Sequence, residues 1–252
     1  MDKNRKFAVI TGASRGIGLE FASQLLDRDE AWNVVATSRE PEEARGLAAL
    51  REQHDGRLLV LPLDVADEGT IAKAALQVAE LTAQVHLVLN VAGVLHGPGF
   101  APEKKLDQVE PGALWRVFEV NAFGPLLVAK HFHALLRHGE RSVFASLSAR
   151  VGSISDNRLG GWYAYRSSKA AQNMITKTLS IELERIAPKA IVLGLHPGTV
   201  DTDLSKPFQR NVPEGSLQRA KDSVASMLRV IEGATSDSSG RVFDFRGEEI
   251  LP

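Results

Sequence analysis

The chain has 252 residues, of which 44% are hydrophobic and 24% charged, and its formal net charge is −1. This is the composition of a globular domain, and the lack of a basic excess argues against nucleic acid as a partner. The sequence contains no cysteine, which excludes disulfides, thiolate metal sites and cysteine nucleophiles.

Apolar strand-like runs alternate with helix-like segments along the chain. The first run, residues 7–10, is too short for a signal segment or a membrane span, so we expect a cytoplasmic protein that does not contact a membrane. Six further runs predict strands at residues 33–37, 58–61, 85–89, 142–146, 190–195 and 242–245. Each run is continuously apolar, as in a sheet covered by helices on both faces.

The segments between these runs show helical spacing of apolar residues. They predict helices at residues 17–28, 42–53, 67–81, 115–136, 164–185 and 215–231. Repeated strand–helix–strand order predicts an α/β fold, a Rossmann-like doubly wound sheet of seven parallel strands flanked by helices. No linker or repeat divides the sequence, so residues 1–252 are expected to form one nucleotide-binding domain.

A glycine-rich loop joins the first predicted strand to the first helix. Glycines at this junction let a pyrophosphate lie against bare backbone, and the helix N-terminus offers free N–H groups. The predicted contacts are Gly12, Ser14, Arg15, Gly16, Ile17 and Gly18. The alternative is a tight glycine turn that binds nothing, although the strand–turn–helix context is the one that the motif requires.

The end of the second strand distinguishes NADP from NAD. An acid there binds the ribose 2′-hydroxyl, whereas an arginine accommodates a 2′-phosphate. The strand ends with Arg39 and has no acid at its tip, and Arg15 can approach the same phosphate, so we expect NADP(H) rather than NAD(H). Glu40 is the argument against this choice, and both arginines could instead be solvated surface charges.

Tyr165 and Lys169 are four residues apart on a predicted helix, which puts them on one face about 6 Å apart. A phenol beside an ammonium group is expected to have a lowered pKa, which suits acid–base work. Tyr163 has Ser167 at the same spacing, which supplies no charge. The alternative is an accidental Tyr/Lys pair on a helix surface.

Five elements in this order resemble the classical short-chain dehydrogenase/reductase family over essentially the whole chain. They are the TGxxxGxG loop that contains Gly12, the sequence Asn90-Val91-Ala92-Gly93, Asn121 between Val120 and Ala122, the YxxxK pattern of Tyr165 and Lys169, and a PGxVxT element that begins at Pro197. Residues 146–169 and 243–252 are most similar to the C-factor and sniffer-type carbonyl reductase branch.

The resemblance implies further site residues. Asn121 would bend its helix and hold a water that leads to Lys169. A substrate lid is expected at about residues 203–216, and a homodimer or homotetramer is expected through helices 115–136 and 164–185. The further contacts to the nicotinamide cofactor would be Asp64, Val65, Asn90, Ala92, Gly93, Tyr165, Lys169, Pro197, Gly198, Val200 and Thr202.

The family's catalytic serine is harder to assign. The common family pattern is a serine pair followed two residues later by glycine, and counting back from Gly152 puts Ala149 at the usual position. We predict that Ser148 takes the role of hydrogen-bonding the substrate oxygen. The alternatives are a strand end shifted by one residue, Ser153, or a backbone group.

The resulting hypothesis is an NADP-dependent oxidoreductase that acts on a small carbonyl or alcohol substrate. Val94, Leu95, Trp162 and Phe208 could form an apolar pocket for that substrate. The seven histidines show no metal-ligand spacing, so no metal is expected. One alternative is a nucleotide-binding regulatory protein with the same fold and little turnover. A weaker alternative is a sugar epimerase or dehydratase.

Overall fold

A computed structural model describes residues 1–2, 4–28, 31–54 and 56–252. The strands are β1 Lys6–Thr11, β2 Trp32–Ser38, β3 Leu58–Pro62, β4 Leu87–Asn90, β5 Ser142–Leu147, β6 Ala190–His196, β7 Thr199–Val200, β8 Leu217–Gln218 and β9 Arg241–Asp244. Seven of them form one parallel sheet in the order β3-β2-β1-β4-β5-β6-β9, which confirms the expected architecture. The two short strands β7 and β8 pair with each other.

Helices cover both faces of the sheet, because successive residues of each buried strand point to opposite sides. Ile10 packs with Phe21 and Met227 on one face, whereas Val9 packs with Ile71 and Phe132 on the other. The α-helices are α1 Gly16–Asp27, α2 Arg45–Gln53, α3 Glu68–Leu81, α4 Pro111–Phe118, α5 Gly124–Phe132, α6 Tyr163–Ile186 and α7 Ala220–Gly233. No helix among the described residues is long and apolar enough to cross a membrane.

The sheet is built outward in one direction from β1 to β3 and in the other direction from β4 onward, so the strand order reverses between β1 and β4. These two strands pair with each other in parallel. A doubly wound sheet opens a crevice outside the carboxyl ends of the strands at such a point. The glycine-rich loop follows β1 there, and the sequence that begins at Asn90 follows β4 there. The fold therefore brings these two motifs to the same edge of the sheet.

Two predicted helices differ from the observed elements. The segment predicted as one helix at 115–136 is α4, a π-helical turn Glu119–Phe123, α5 and a 3₁₀ turn His133–Leu136. The prediction of a helix from residue 215 was wrong in its first turn, because Leu217 lies in β8 and is 39% exposed, so it is not on the buried face of α7. Pairing with β7 overrides the local apolar spacing there.

The free edge of β9 is covered by the residues that follow it. The chain turns at Gly247 and runs back antiparallel, with a bridge between Phe243 and Glu249. The backbone N–H of Ile250 donates to the carbonyl of Val242 at 2.8 Å, and the N–H of Asp244 donates to the carbonyl of Glu248 at 2.8 Å.

Candidate active site

The glycine-rich loop closes tightly against the segment after β4. Gly12 has φ +67°, and a Cβ placed on it would lie 2.8 Å from the backbone of Ala92, so only glycine fits there. Ser14 lies in the same turn, and α1 begins at Gly16 without a side-chain cap. The first N–H groups of α1, including those of Ile17 and Gly18, therefore point into the crevice as an anion site would require.

Of the two arginines expected at the adenosine end, Arg15 belongs to the glycine-rich loop and Arg39 follows β2. Arg39 is exposed and follows the last residue of β2. Nη1 of Arg15 lies 3.3 Å from Oδ2 of Asp203, a residue of the predicted lid, and both side chains are largely exposed. A solvated ion pair of this kind is weak, so Arg15 is available to an anionic ligand.

Asp64 and Val65 follow β3 at the same edge of the sheet. Oδ1 of Asp64 accepts a hydrogen bond from the N–H of Ala66 at 3.0 Å, whereas the cap of α3 is Asp67. Val65 packs against Gly124, where an added Cβ would lie 2.9 Å from the valine side chain. Asp64 is therefore not needed to cap the helix.

Asn90, Ala92 and Gly93 border the crevice opposite the glycine-rich loop. Nδ2 of Asn90 donates to Oγ of Ser146 at 3.3 Å, while its Oδ1 is buried without a hydrogen-bond partner. A buried acceptor without a partner is uncommon and calls for an explanation such as a bound group. A nicotinamide cofactor fits this feature, because its polar atoms would supply a donor.

Asn121 lies in the π-helical turn and ties three segments together. Its Oδ1 accepts from the N–H of Val94 at 2.8 Å, and its Nδ2 donates to the Val94 carbonyl at 2.8 Å and to Oγ of Ser168 at 3.2 Å. The bend expected at this residue is present as the π turn. The turn fixes the loop after β4 to α6.

Tyr165 and Lys169 lie in the first turns of α6, and Nζ of Lys169 is 5.9 Å from the centroid of the tyrosine ring. Nζ donates to the carbonyl of Leu147 at 2.6 Å and to Oε1 of Gln172 at 2.9 Å. Burial lowers the pKa of Lys169 to about 7 and raises the pKa of Tyr165 to about 12. Tyr163, by contrast, is 42% exposed.

The expectation that Lys169 lowers the phenol pKa was wrong, because the pKa of Tyr165 is raised. Desolvation is the cause of both shifts, and it acts in opposite directions on an acid that is neutral when protonated and on a base that is charged when protonated. A lysine with a pKa near 7 is only partly charged at neutral pH. The phenol is therefore fully protonated in this state.

The structure pairs the hydroxyl of Ser148 with the side chain of Asn173. Oγ of Ser148 donates to Oδ1 of Asn173 at 2.6 Å, and Asn173 lies two helical turns beyond Tyr165 on α6. Ala149 is next in the chain and is extended and buried. Ser153 binds the N–H of Asp156 and thereby stabilises its own loop.

The element that begins at Pro197 crosses in front of the crevice. Gly198 forms the turn after β6, and Val200 is buried in β7. The side chain of Thr202 faces the glycine-rich loop, since a Cβ on Gly16 would lie 3.4 Å from Cγ2 of Thr202. The glycine-rich loop and the element that begins at Pro197 therefore lie next to each other at the predicted cofactor site.

Aromatic side chains connect the start of α6 to the predicted lid. The Trp162 ring centroid is 6.2 Å from Tyr165 and 5.2 Å from Phe208, and Phe208 is 5.7 Å from His96, all edge to face. Val94 is held by Asn121, and Leu95 lines a small cavity with Tyr165. The four residues predicted for an apolar pocket therefore all border this region.

Two buried polar residues near the Tyr165/Lys169 pair were not predicted from the sequence. Gln172 contacts Lys169 directly, and its spacing of three residues on the same helix was a usable signal. Glu103 is 3% exposed and binds the start of α6 from the segment after β4. No local pattern marks Glu103, because its contact is made across 61 residues of chain.

Comparison with known proteins identifies the family. The short chain dehydrogenase family matches residues 6–213. The chain belongs to the short-chain dehydrogenase/reductase family. It is similar to C-signal of Myxococcus xanthus, with 40% identity over 170 residues that cover 67% of this chain and 93% of the relative.

Solved structures give the same result for this short-chain dehydrogenase. A carbonyl reductase from chicken fatty liver with bound NADPH has a TM-score of 0.88 and 29% identity, over 99% of this chain and 100% of that one. The Sniffer protein of Caenorhabditis elegans has a TM-score of 0.78 and 25% identity, over 98% of both chains. The predicted likeness to the C-factor and sniffer-type branch is thereby confirmed.

Proposed function

We propose that this short-chain dehydrogenase/reductase reduces a small apolar carbonyl compound with NADPH, with Tyr165 as the proton donor and Lys169 beside it. The observation that carries the proposal is the pair of half-buried Tyr165 and buried Lys169 at the start of α6, next to the crevice where the glycine-rich loop and Asn90 meet. The structurally similar chicken protein is a carbonyl reductase with bound NADPH, which supports the same chemistry here.

The phenol of Tyr165 suits reduction better than oxidation. Its pKa of about 12 keeps the proton on the oxygen at neutral pH, and carbonyl reduction needs a proton donor at the substrate oxygen. NADPH supplies the hydride when it is bound. Lys169 uses two of its N–H groups on Leu147 and Gln172 and has one left for a cofactor hydroxyl.

The cofactor would be held by the residues on both sides of the crevice. The glycine-rich loop and the start of α1 provide N–H groups for its pyrophosphate. The adenosine end would contact Arg15, Arg39, Asp64 and Val65. The nicotinamide end would contact Asn90, Ala92, Gly93, Tyr165, Lys169, Pro197, Gly198, Val200 and Thr202, and residues 203–216 would close over the substrate.

The test of this function is a titration of the protein with NADPH and with NADH, followed by aromatic aldehydes and diketones as substrates. Tight binding of NADPH together with carbonyl-dependent oxidation of NADPH supports the proposal. Binding of NADPH without turnover of any carbonyl compound contradicts the reductase assignment.

Replacing Arg39 with alanine is expected to weaken NADPH binding about tenfold and to leave NADH binding unchanged. A guanidinium bound to a 2′-phosphate forms a charge-assisted contact that NADH, which lacks this phosphate, cannot make. The measurement is the dissociation constant of each cofactor from fluorescence quenching. Arg51→Ala is the matched control, because Arg51 is an exposed arginine on α2. Equal loss of NADPH and NADH affinity would contradict the assignment.

A serine introduced at Ala149 is expected to raise kcat/KM at least about tenfold, since it adds a hydroxyl donor at the position where the family carries one. Ser148→Ala is expected to change kcat/KM less than about threefold, because the Ser148 hydroxyl binds Asn173. Steady-state kinetics of both variants compare the two positions. A loss of turnover in Ser148→Ala would instead support the prediction that Ser148 donates a hydrogen bond to the substrate oxygen.

A regulatory, nucleotide-binding role is the second candidate. It is favoured by Ala149, which leaves the site without the hydroxyl expected beside Tyr165. The relative from Myxococcus xanthus is called C-signal, which agrees with a role of that kind. Retention of the Tyr165/Lys169 pair, in which the lysine is buried, favours the enzyme.

Self-association of the chain is part of the proposal. Large apolar side chains are exposed on the outer faces of the helices for which the resemblance implies contacts, namely Trp115, Leu126, Met174 and Ile181. Burying such a surface in a homodimer or homotetramer would remove apolar area from water. The oligomeric state can be measured by analytical ultracentrifugation.

A further inference from the structure

Trp162 has an unusual backbone conformation directly before the catalytic helix. It is the one non-glycine residue with positive φ among the described residues, with φ 52° and ψ 45°. Gly160 and Gly161 before it also have positive φ, so three consecutive residues are left-handed. A bulky side chain is strained in this region and persists there only where its surroundings hold it.

Two residues hold this left-handed segment from opposite sides. The backbone carbonyl of Glu103 accepts from the N–H of Trp162 at 2.5 Å. The guanidinium of Arg166 donates to the carbonyls of Gly160 and Gly161 at 3.2 and 3.1 Å. The backbone that leads into α6 is therefore fixed by groups outside the segment.

Glu103 also binds the first turn of α6 through its side chain. Oε2 accepts from the N–H of Ala164 at 3.2 Å, and the residue is 3% exposed. The helix has no side-chain cap of its own, so its first N–H groups need partners from elsewhere. Glu103 takes the place of the missing cap from a distant part of the chain.

The segment that Glu103 holds carries two side chains that border the proposed substrate region, those of Trp162 and Tyr165. Tyr165 is the residue directly after Ala164, and the Trp162 ring stands between Tyr165 and Phe208. A shift in the first turn of α6 would therefore move the phenol and the indole together. Small displacements of a reacting group reduce catalysis steeply.

We propose that Glu103 is a positioning residue, whose carboxylate sets the phenol of Tyr165 and the indole of Trp162 by binding the backbone N–H of Ala164 between them. The proposal rests on the function proposed above, in which Tyr165 donates the proton. Glu103 itself contacts neither the substrate nor the cofactor in this role.

Three substitutions at Glu103 distinguish an effect of where its side-chain oxygen lies from an effect of its negative charge. Glu103→Gln keeps an oxygen at the same reach without the carboxylate, Glu103→Asp keeps the carboxylate but shortens the reach, and Glu103→Ala removes both. We expect Glu103→Ala and Glu103→Asp to lower kcat at least about tenfold, because a buried N–H group loses its acceptor. Glu103→Gln should stay within about threefold of the parent.

The probe is 4-nitrobenzaldehyde with NADPH, and kcat, KM and the NADPH dissociation constant are measured for each variant. The NADPH dissociation constant should change less than about twofold, because the glycine-rich loop is untouched. Glu110→Ala is the control, since Glu110 is an exposed glutamate in the same connection and makes no side-chain cap. An active Glu103→Asp beside an inactive Glu103→Gln would overturn the proposal in favour of a charge effect.

A second readout does not depend on turnover. The chain has three tryptophans, and Trp32→Phe with Trp115→Phe leaves Trp162 as the one tryptophan, which can be excited selectively over the two tyrosines. Its emission should shift in Glu103→Ala and Glu103→Asp and not in Glu103→Gln. Unchanged emission and kcat in all variants would overturn the proposal. If the parent protein reduces no carbonyl compound, the proposed function fails, and the emission alone still decides whether Glu103 fixes the segment.

Discussion

Tyr165→Phe is expected to lower kcat for carbonyl reduction at least about a hundredfold, because the ring remains and the proton donor is lost. The pKa of about 12 leaves the parent phenol protonated over the whole range of an ordinary assay. Affinity for NADPH should change less than about threefold, since the glycine-rich loop and the arginines are unaffected. The measurement is a kcat from steady-state kinetics, together with a fluorescence titration of NADPH.

The matched control for this variant is Tyr163→Phe. The chain has two tyrosines, and Tyr163 lies on the same helix but is 42% exposed. Loss of its hydroxyl should leave kcat within about twofold of the parent. If Tyr163→Phe lost turnover while Tyr165→Phe kept it, the assignment of the proton donor would be wrong.

Lys169→Met is expected to lower kcat about a hundredfold, through loss of the cation beside the phenol and the cofactor. It is also expected to change how stability depends on pH. Burial lowers the pKa of Lys169 in the folded protein from 10.5 to about 7. Between these two pH values the unfolded chain binds a proton that the folded protein lacks, so a rise in pH stabilises the folded state.

The parent should therefore gain about 2 kcal/mol of unfolding free energy relative to Lys169→Met between pH 7 and pH 9. The measurement is urea unfolding of both proteins at the two pH values without cofactor. Lys177→Met is the control, because Lys177 is exposed on the same helix and its pH dependence should follow the parent. Parallel pH profiles for the parent and Lys169→Met would show that the lysine keeps its proton in the folded state.

The fold and the places of the main motifs could be predicted from the sequence because each rests on local information. Continuous apolar runs gave the seven strands of the parallel sheet, and the glycine-rich loop follows β1 as the strand–turn–helix pattern requires. Tyr165 and Lys169 share a helix face because their spacing is local.

Features that depend on distant residues could not be predicted in the same way. The binding of Ala164 by Glu103 joins residues 61 positions apart, and no periodicity marks it. The direction of the Tyr165 pKa shift depends on burial, which spacing does not report. The orientation of the Ser148 hydroxyl toward Asn173 depends on how β5 packs on α6.

The backward turn after β9 protects the protein from association through its sheet. An open last strand would present unpaired N–H and carbonyl groups to any extended segment of another molecule. The hydrogen bonds from Ile250 to Val242 and from Asp244 to Glu248 occupy those groups. The residues that follow β9 therefore close the edge of the sheet that another molecule could otherwise extend.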